Sequence, residues 1–118
     1  MSPANAVSAS DARQAARIFA ALGDETRLRL VLRLSSTGPE SIATLCAKAS
    51  VSRQAITKHL GVLEKAGLAE GRRRGREHIW QLQPQRLAAV HECLNRISEQ
   101  WDDALGRLKD FVEAQPGR

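Results

Sequence analysis

The fold is decided by the stretch SRQAITKHLGVLEKAG, residues 52–67, which predicts a helix with two unlike faces. Ile56, Leu60 and Leu63 recur at i, i+4 and i+7, the spacing that aligns apolar side chains along one side of a helix. Another side carries polar or small residues: Gln54, Thr57, Lys58 and Gly61. Amide, hydroxyl and ammonium groups at this spacing suit base edges and phosphates. We therefore expect one face to pack on a core and the other to meet a nucleic acid.

A second short helix is predicted just before this one. Ser41 can cap its start, because a serine hydroxyl accepts a hydrogen bond from a first-turn amide, and Ile42 and Leu45 give it an apolar side. Only residues 49–51 then separate it from Ser52, which can cap the next helix in the same way. Two short helices joined by a tight turn, the second with a polar outer face, are typical of a helix-turn-helix.

Two further helices are predicted upstream. The first opens at Ser10 or Asp11 and carries an apolar stripe made of Ala12, Ala15, Ala16, Phe19 and Leu22. Asp24 is a strong N-cap for the second. That helix is rich in apolar residues, namely Leu28, Leu30, Val31, Leu32 and Leu34. We expect it to be the buried centre of the domain.

A β-hairpin is predicted after the helix-turn-helix. Residues 68–73 and 76–82 flank a turn at Arg74 and Gly75. Trp80 should point towards the helices. Four arginines crowd the hairpin tip: Arg72, Arg73, Arg74 and Arg76. An apolar base and a basic tip predict a wing.

The positive charge is concentrated in this part of the chain. The net charge is +5, and residues 52–78 contain seven Lys and Arg against three Glu, a local net charge of +4. Residues 84–113 contain four Lys and Arg against six Asp and Glu. A localised basic patch, unlike uniform basicity, is typical of a surface that binds a polyanion.

The last helix is predicted to begin at Pro84 and to need a partner. Its apolar residues follow steps of three and four: Leu87, Val90, Leu94, Ile97, Trp101, Leu105, Leu108 and Val112. Such a helix would extend roughly 40 Å at ~1.5 Å per residue, further than a domain this small can cover. We therefore expect a second copy of the chain to cover Leu94, Ile97, Trp101, Leu105 and Leu108.

Length and composition predict one mostly α domain. The 118 residues are 3% aromatic and include no Tyr, so the core must be built from aliphatic side chains. We place the domain at residues 10–114, with flexible ends at residues 1–9 and 115–118. No membrane span or signal peptide is evident, so we expect a cytoplasmic protein. Cys46 and Cys93 lie far apart and predict neither a disulfide framework nor a zinc site.

Three segments, FAALGDETRLRLVLRL (19–34), SVSRQAITKHLGVLEKAGL (50–68) and RRRGREHIWQLQP (72–84), resemble the ArsR/SmtB family of bacterial winged helix-turn-helix repressors. The resemblance covers residues 12–112. It implies a homodimer held by the first and last helices, with Phe19 in the interface. It also implies a recognition helix in the major groove and a wing in the adjacent minor groove.

Many members of that family sense metals, but this chain departs from their ligand pattern. The matching positions hold Ser41, Ala43, Pro84, Arg86, Ile97 and Gln100. These residues are not a plausible ligand set for Zn²⁺ or Ni²⁺. We expect no metal and no cofactor, and the resemblance leaves the effector open.

The function expected is sequence-specific regulation of transcription on double-stranded DNA. The predicted DNA-binding residues are Ser52, Arg53, Gln54, Thr57, Lys58, His59, Arg72, Arg73, Arg74 and Arg76. Gln54 suits adenine, whereas Arg53 and His59 suit phosphate or backbone contacts. The alternative is a protein-interaction or architectural module that binds nucleic acid without sequence preference. An enzyme is not expected, because the sequence offers no nucleophile with a base and no phosphate-binding glycine loop.

Overall fold

The computed structural model describes residues 8–115, and within them the chain forms five helices and a small sheet. The elements in order are α1 (Ala9–Leu22), α2 (Glu25–Thr37), β1 (Glu40–Ser41), α3 (Ile42–Ala47), α4 (Arg53–Lys65), β2 (Ala69–Arg74), β3 (Glu77–Leu82) and α5 (Pro84–Ala114). This arrangement confirms the prediction of a mostly α winged helix-turn-helix. The flexible ends predicted at residues 1–9 and 115–118 fall mostly outside the described residues.

Side-chain caps fix where the helices begin. The predicted caps Asp24, Ser41 and Ser52 are confirmed, because each accepts a hydrogen bond from the backbone N–H three residues later at 3.0 to 3.1 Å. The start predicted for α1 was wrong by one or two residues. The hydroxyl of Ser8 accepts from the N–H of Asp11 at 3.0 Å, and the helix begins at Ala9.

The core lies where α1, α2, α3 and α4 meet the sheet. Its fully buried side chains are Ile18, Leu45, Ile56, Leu60, Leu63 and Leu68. The stripe predicted for α1 needs correction, since Ala12 and Ala16 are exposed. The side that packs inward is centred on Ala15 and Ile18, because residues three apart in a helix share a face.

The prediction for α2 also needs correction, because only one side of this helix is buried. Leu30, Val31 and Leu34 belong to the core, whereas Leu28 and Leu32 are exposed, Leu32 at 60%. A helix at the edge of a small domain packs through one face, so its other leucines lie in solvent.

The sheet has three antiparallel strands in the order β1, β3, β2. The two-residue strand β1 was not predicted, and it pairs with the middle of β3, opposite Ile79 and Trp80. Strands β2 and β3 form the hairpin, called the wing from here on. The wing turn lies at Gly75 and Arg76, one residue later than predicted, with Gly75 at a φ of 66°. The inward position of Trp80 is confirmed, since this side chain is 4% exposed.

Helix α5 is 31 residues long and extends beyond the core of the domain. It contacts α1, and Val90, which is 6% exposed, is its one buried residue. Every residue from 98 to 115 is exposed. Between residues 8 and 115, the structure contains no helix that is both long and apolar enough to cross a membrane.

Candidate nucleic-acid interface

Helix α4 has the two faces expected from its sequence. Ile56, Leu60 and Leu63 are buried against the core. The opposite face carries Arg53, Gln54, Thr57 and Lys58, all of them exposed. The hydroxyl of Thr57 donates to the carbonyl of Arg53 at 2.9 Å, which fixes the direction of that side chain. The exposed face therefore offers an amide, a hydroxyl, an ammonium and a guanidinium within two helical turns.

The four wing arginines are not equivalent. All are exposed, at or beside the turn of the hairpin. The guanidinium of Arg72 forms an ion pair with Glu70, which also accepts a hydrogen bond from the side-chain amide of Gln83. Arg73, Arg74 and Arg76 form no ion pair with any residue between 8 and 115. The unpaired charge thus lies at the tip of the wing.

A concave surface joins α4 to the wing. This groove has a volume of about 450 Å³ and runs between α4, the start of α3 and the wing. Arg53 and Thr57 line it on one side, and Arg73 and Arg76 line it on the other. Glu77 is the acidic residue of the lining, so three arginines face one carboxylate. Helix α4 and the wing, which are merely adjacent in the sequence, therefore form one basic groove in the structure.

His59 lies in different surroundings from those expected of a residue that contacts a phosphate. Its Nδ1 is 3.2 Å from Nη1 of Arg27 and 3.8 Å from Oδ2 of Asp24, both near the start of α2. The Nε of Arg27 in turn donates to the carbonyl of Ala21 at 2.6 Å. The hydrogen bond from the N–H of Arg27 is the main cause that lowers the pKa of Asp24. His59 therefore joins α4 to the α1–α2 corner.

The positions that the resemblance matched to metal ligands lie in two different parts of the fold. Ser41 and Ala43 line the basic groove, whereas Arg86 and Ile97 lie on α5. Among the described residues, 8–115, no three His, Cys, Asp or Glu side chains are close enough together to hold a metal ion.

A second candidate surface is the apolar side of α5. The exposed residues of the predicted set are Leu94, Ile97, Trp101, Leu105 and Leu108. Phe19, predicted for the same interface, is half-buried and packs on the core of its own chain. Phe111 was not predicted to belong to this surface, because it falls between two members of the three-and-four pattern; it is 65% exposed.

Comparison with known proteins gives the same assignment as the geometry. A family described as "Helix-turn-helix domain" matches residues 22–72. The HTH-type transcriptional regulator Rv2034 of Mycobacterium tuberculosis is 35% identical over 99 residues, which are 84% of this chain and 89% of the relative. The arsenic resistance transcriptional regulator ArsR2 of Pseudomonas putida is 34% identical, over 86% of this chain and 90% of the relative.

Solved structures agree. An ArsR-like transcriptional regulator from Rhodococcus sp. RHA1 superposes with a TM-score of 0.70 at 35% identity, covering 90% of this chain and 99% of that one. Together with the helix-turn-helix, the wing and the basic groove, these relationships show that the chain belongs to the ArsR family of winged helix-turn-helix transcriptional regulators, which bind DNA.

Proposed function

We propose that the protein is a homodimeric repressor that binds an inverted-repeat operator. In each half-site α4 would lie in the major groove and the wing would reach the adjacent minor groove. The observation that carries this proposal is the continuous basic groove between α4 and the wing. Two copies related by a two-fold axis would contact half-sites about one helical turn, ~34 Å, apart.

Within each half-site the exposed residues divide into two roles. Gln54 suits a bidentate contact with adenine, and Lys58 suits guanine or a phosphate. Arg53, Arg73 and Arg76 surround the groove and suit phosphates, which set affinity and register more than sequence preference. Arg74 is equally exposed and adds to this attraction. Arg72 contributes less, because Glu70 neutralises its charge.

Two predicted contacts are kept with altered roles. The hydroxyl oxygen of Ser52 caps α4 by accepting from the N–H of Ala55. Its O–H group can still donate to a phosphate. His59 would act through its contacts with Arg27 and Asp24, which hold α4 against the α1–α2 corner.

The dimer is supported by the apolar surface that α5 leaves uncovered. Trp101, Leu105 and Leu108 are each more than half exposed, and all three lie after Val90, the buried residue of α5. A contiguous apolar surface of this kind marks an interaction site in a soluble protein. We include Phe111 and Val112 in the proposed interface, since both are exposed on the same stretch of helix. Trp101 is the strongest candidate for an anchor, because tryptophan is favoured at energetically important contacts.

Repression would follow from occupancy of a promoter. A dimer bound across a site of this length excludes polymerase from the DNA it covers. Release would require a change in the angle between the two recognition helices, which the dimer fixes through α5 and α1. This part of the proposal rests on membership of the family.

Selection of bound genomic fragments by the purified protein at near-physiological salt tests the proposal. An enriched inverted repeat upstream of one or a few genes, bound in the presence of excess random DNA, is the expected result. Uniform salt-sensitive binding without an enriched site would contradict it and would favour an architectural or protein-interaction role.

A further inference from the structure

A second cavity lies on the opposite end of α3 from the basic groove. It has a volume of about 390 Å³ and lies between α2, the end of α3 and the turn that leads into α4. We call it the turn pocket. Its buried lining side chains are Leu30, Leu45 and Ile56, one from each of the three helices. Val51, in the turn itself, adds apolar surface and is 37% exposed.

The charged residues that line the turn pocket are mainly cations. Arg33 is held by Glu40, which accepts from its Nε and Nη2 at 2.5 and 2.7 Å. Arg29 is paired with Glu25 at 3.6 Å, although both side chains are largely exposed. Lys48 lines the pocket and forms no ion pair within residues 8–115. Glu40 lies outside the lining but neutralises Arg33, so the three lining cations exceed Glu25 and Glu40 together by one positive charge.

This combination indicates the chemistry of a ligand. Small-molecule sites are usually cavities of about 300–1,000 Å³, mostly apolar, with a few polar groups that fix orientation. The turn pocket lies at the lower end of that volume range, five of its eleven lining residues are apolar, and its single excess positive charge matches one negative charge. A dianion would need a second free cation.

We infer that the turn pocket binds a small monocarboxylate with an aromatic ring or a short alkyl chain, and that occupancy weakens DNA binding. The carboxylate would contact Lys48, and the apolar part would contact Val51 and Ile56. This inference rests on the proposed role of α4 in reading DNA.

The position of the pocket gives a physical route to regulation. Val51 belongs to the turn that sets the direction of α4, and Ile56 lies on the buried side of α4 one residue from Thr57, which lines the basic groove. Ile56 is 1% exposed, so a ligand gains more than a marginal contact with it only by displacing the side chains packed around it. Because core side chains are closely packed, such a displacement moves the helix that carries them. The outward face of α4 would then lose its alignment with the wing.

NMR titration of the full chain without DNA tests the site itself. Benzoate and hexanoate serve as probes, and benzyl alcohol serves as the uncharged control. The expected result is saturable amide shifts at residues 26–30 and 48–51 with both carboxylates and a weaker response to benzyl alcohol. Lys48→Gln should reduce the benzoate affinity by about two- to fivefold, the size of a solvent-exposed ion pair. Lys109→Gln, which removes an exposed ammonium on α5, should leave it unchanged.

Three results would overturn the inference. They are no saturable shifts at the turn pocket with either carboxylate up to about 10 mM, equal binding of benzoate and benzyl alcohol, and equal affinity in Lys48→Gln.

DNA binding is measured separately on an operator selected without any probe. A benzoate-dependent fall in operator affinity, lost in Lys48→Gln, would support the regulatory part. A fall in operator affinity of Lys48→Gln without benzoate shifts would mean that Lys48 meets a DNA phosphate. The turn pocket would then be rejected while the proposed function stands. Benzoate shifts in a protein that selects no operator would support the pocket and reject the proposed function.

Discussion

Gly71 lies directly opposite Trp80 in the β2–β3 pair, and a Cβ atom on Gly71 would be 2.9 Å from two carbons of the indole ring. It would also be 2.5 Å from Nε2 of His78, whose ring is tilted against the indole at a centroid distance of 4.9 Å. Trp80 is the large wing side chain in the core, so it connects the hairpin to the helices. The orientation of the wing therefore depends on the absence of a side chain at position 71.

We expect Gly71→Ala to destabilise the protein by about 1–3 kcal/mol, because the added methyl group forces two rings to shift in a packed site. The matched control is Gly61→Ala in α4, where a Cβ atom would meet nothing within 4 Å. That change should stabilise the fold by about 0.5–1 kcal/mol, because alanine favours a helix over glycine. Urea denaturation measures both. Equal stability of Gly71→Ala and the wild type would show that the wing packs differently.

The pair between Arg33 and Glu40 predicts a dependence of stability on pH. The hydrogen bonds from Arg33 lower the pKa of Glu40 below its usual value of 4.5, and the hydroxyl of Thr37 adds to the effect. Because the folded pKa is depressed, the stabilisation is present above pH 4.5 and is lost as the pH falls through the folded pKa. Glu40→Gln should therefore lower the melting temperature by a few degrees at pH 7.

That difference should shrink as the pH falls below 4.5, because the carboxyl of Glu40 takes up a proton first in the unfolded chain and, at the lower folded pKa, in the native protein. Glu92→Gln is the control, since its exposed carboxylate pairs with Arg96 on the surface of α5. Exposed ion pairs contribute little to stability, so we expect Glu92→Gln to leave the melting temperature almost unchanged at both pH 7 and pH 3. A difference between Glu40→Gln and the wild type that stays constant from pH 7 to pH 3 would contradict the assignment. Thermal melts followed by circular dichroism give the values.

The roles proposed for α4 and the wing can be separated by two substitutions. Gln54→Ala should reduce preference for the operator over random DNA, with a loss of about 1–3 kcal/mol on the operator alone. Arg73→Ala should weaken binding to all sequences and reduce the slope of affinity against salt by about one unit. Arg72→Ala is the control within the wing, and it should change the slope less because Glu70 already neutralises that side chain. Fluorescence anisotropy at several salt concentrations measures all three. Similar losses of affinity for the operator and for random DNA in Gln54→Ala would refute the separate roles of α4 and the wing.

The proposed dimer can be tested on α5. Trp101→Glu should give monomers with weak operator binding, because a charge would replace an apolar anchor within the interface. Gln100→Glu adds the same charge at the neighbouring exposed position and should leave the dimer intact. Light scattering gives the mass in solution. A dimer mass for Trp101→Glu would show that the interface lies elsewhere. A monomer mass for the wild type would contradict the proposed dimer.

Local features of this protein were predictable from sequence, and features that depend on distant partners were not. Asp24, Ser41 and Ser52 cap their helices through bonds within three residues, so each cap is visible in the sequence. Strand β1 has only two residues and exists because β3 lies beside it. A strand of two residues is too short to show an alternating pattern. The ion pair between Glu40, in this strand, and Arg33 was therefore not predicted either.

The candidate site follows the same division. The polar face of α4 was predictable from its helical spacing, whereas the ion pair of Arg72 with Glu70 depends on the register of the wing. The contacts of His59 with α2 join residues more than 30 positions apart. Leu32 was interpreted as buried because composition cannot tell which side of an apolar helix packs on the core.

Hydroxyl-radical footprinting of the wild-type protein on a selected operator tests the central claim most directly. A dimer with two recognition helices and two wings should protect two half-sites about one helical turn, ~34 Å, apart, symmetrically about the centre of an inverted repeat. The flanking minor grooves should also be protected where the wings lie. Protection of a single half-site, or uniform protection that spreads along any DNA, would contradict a dimeric, sequence-specific regulator.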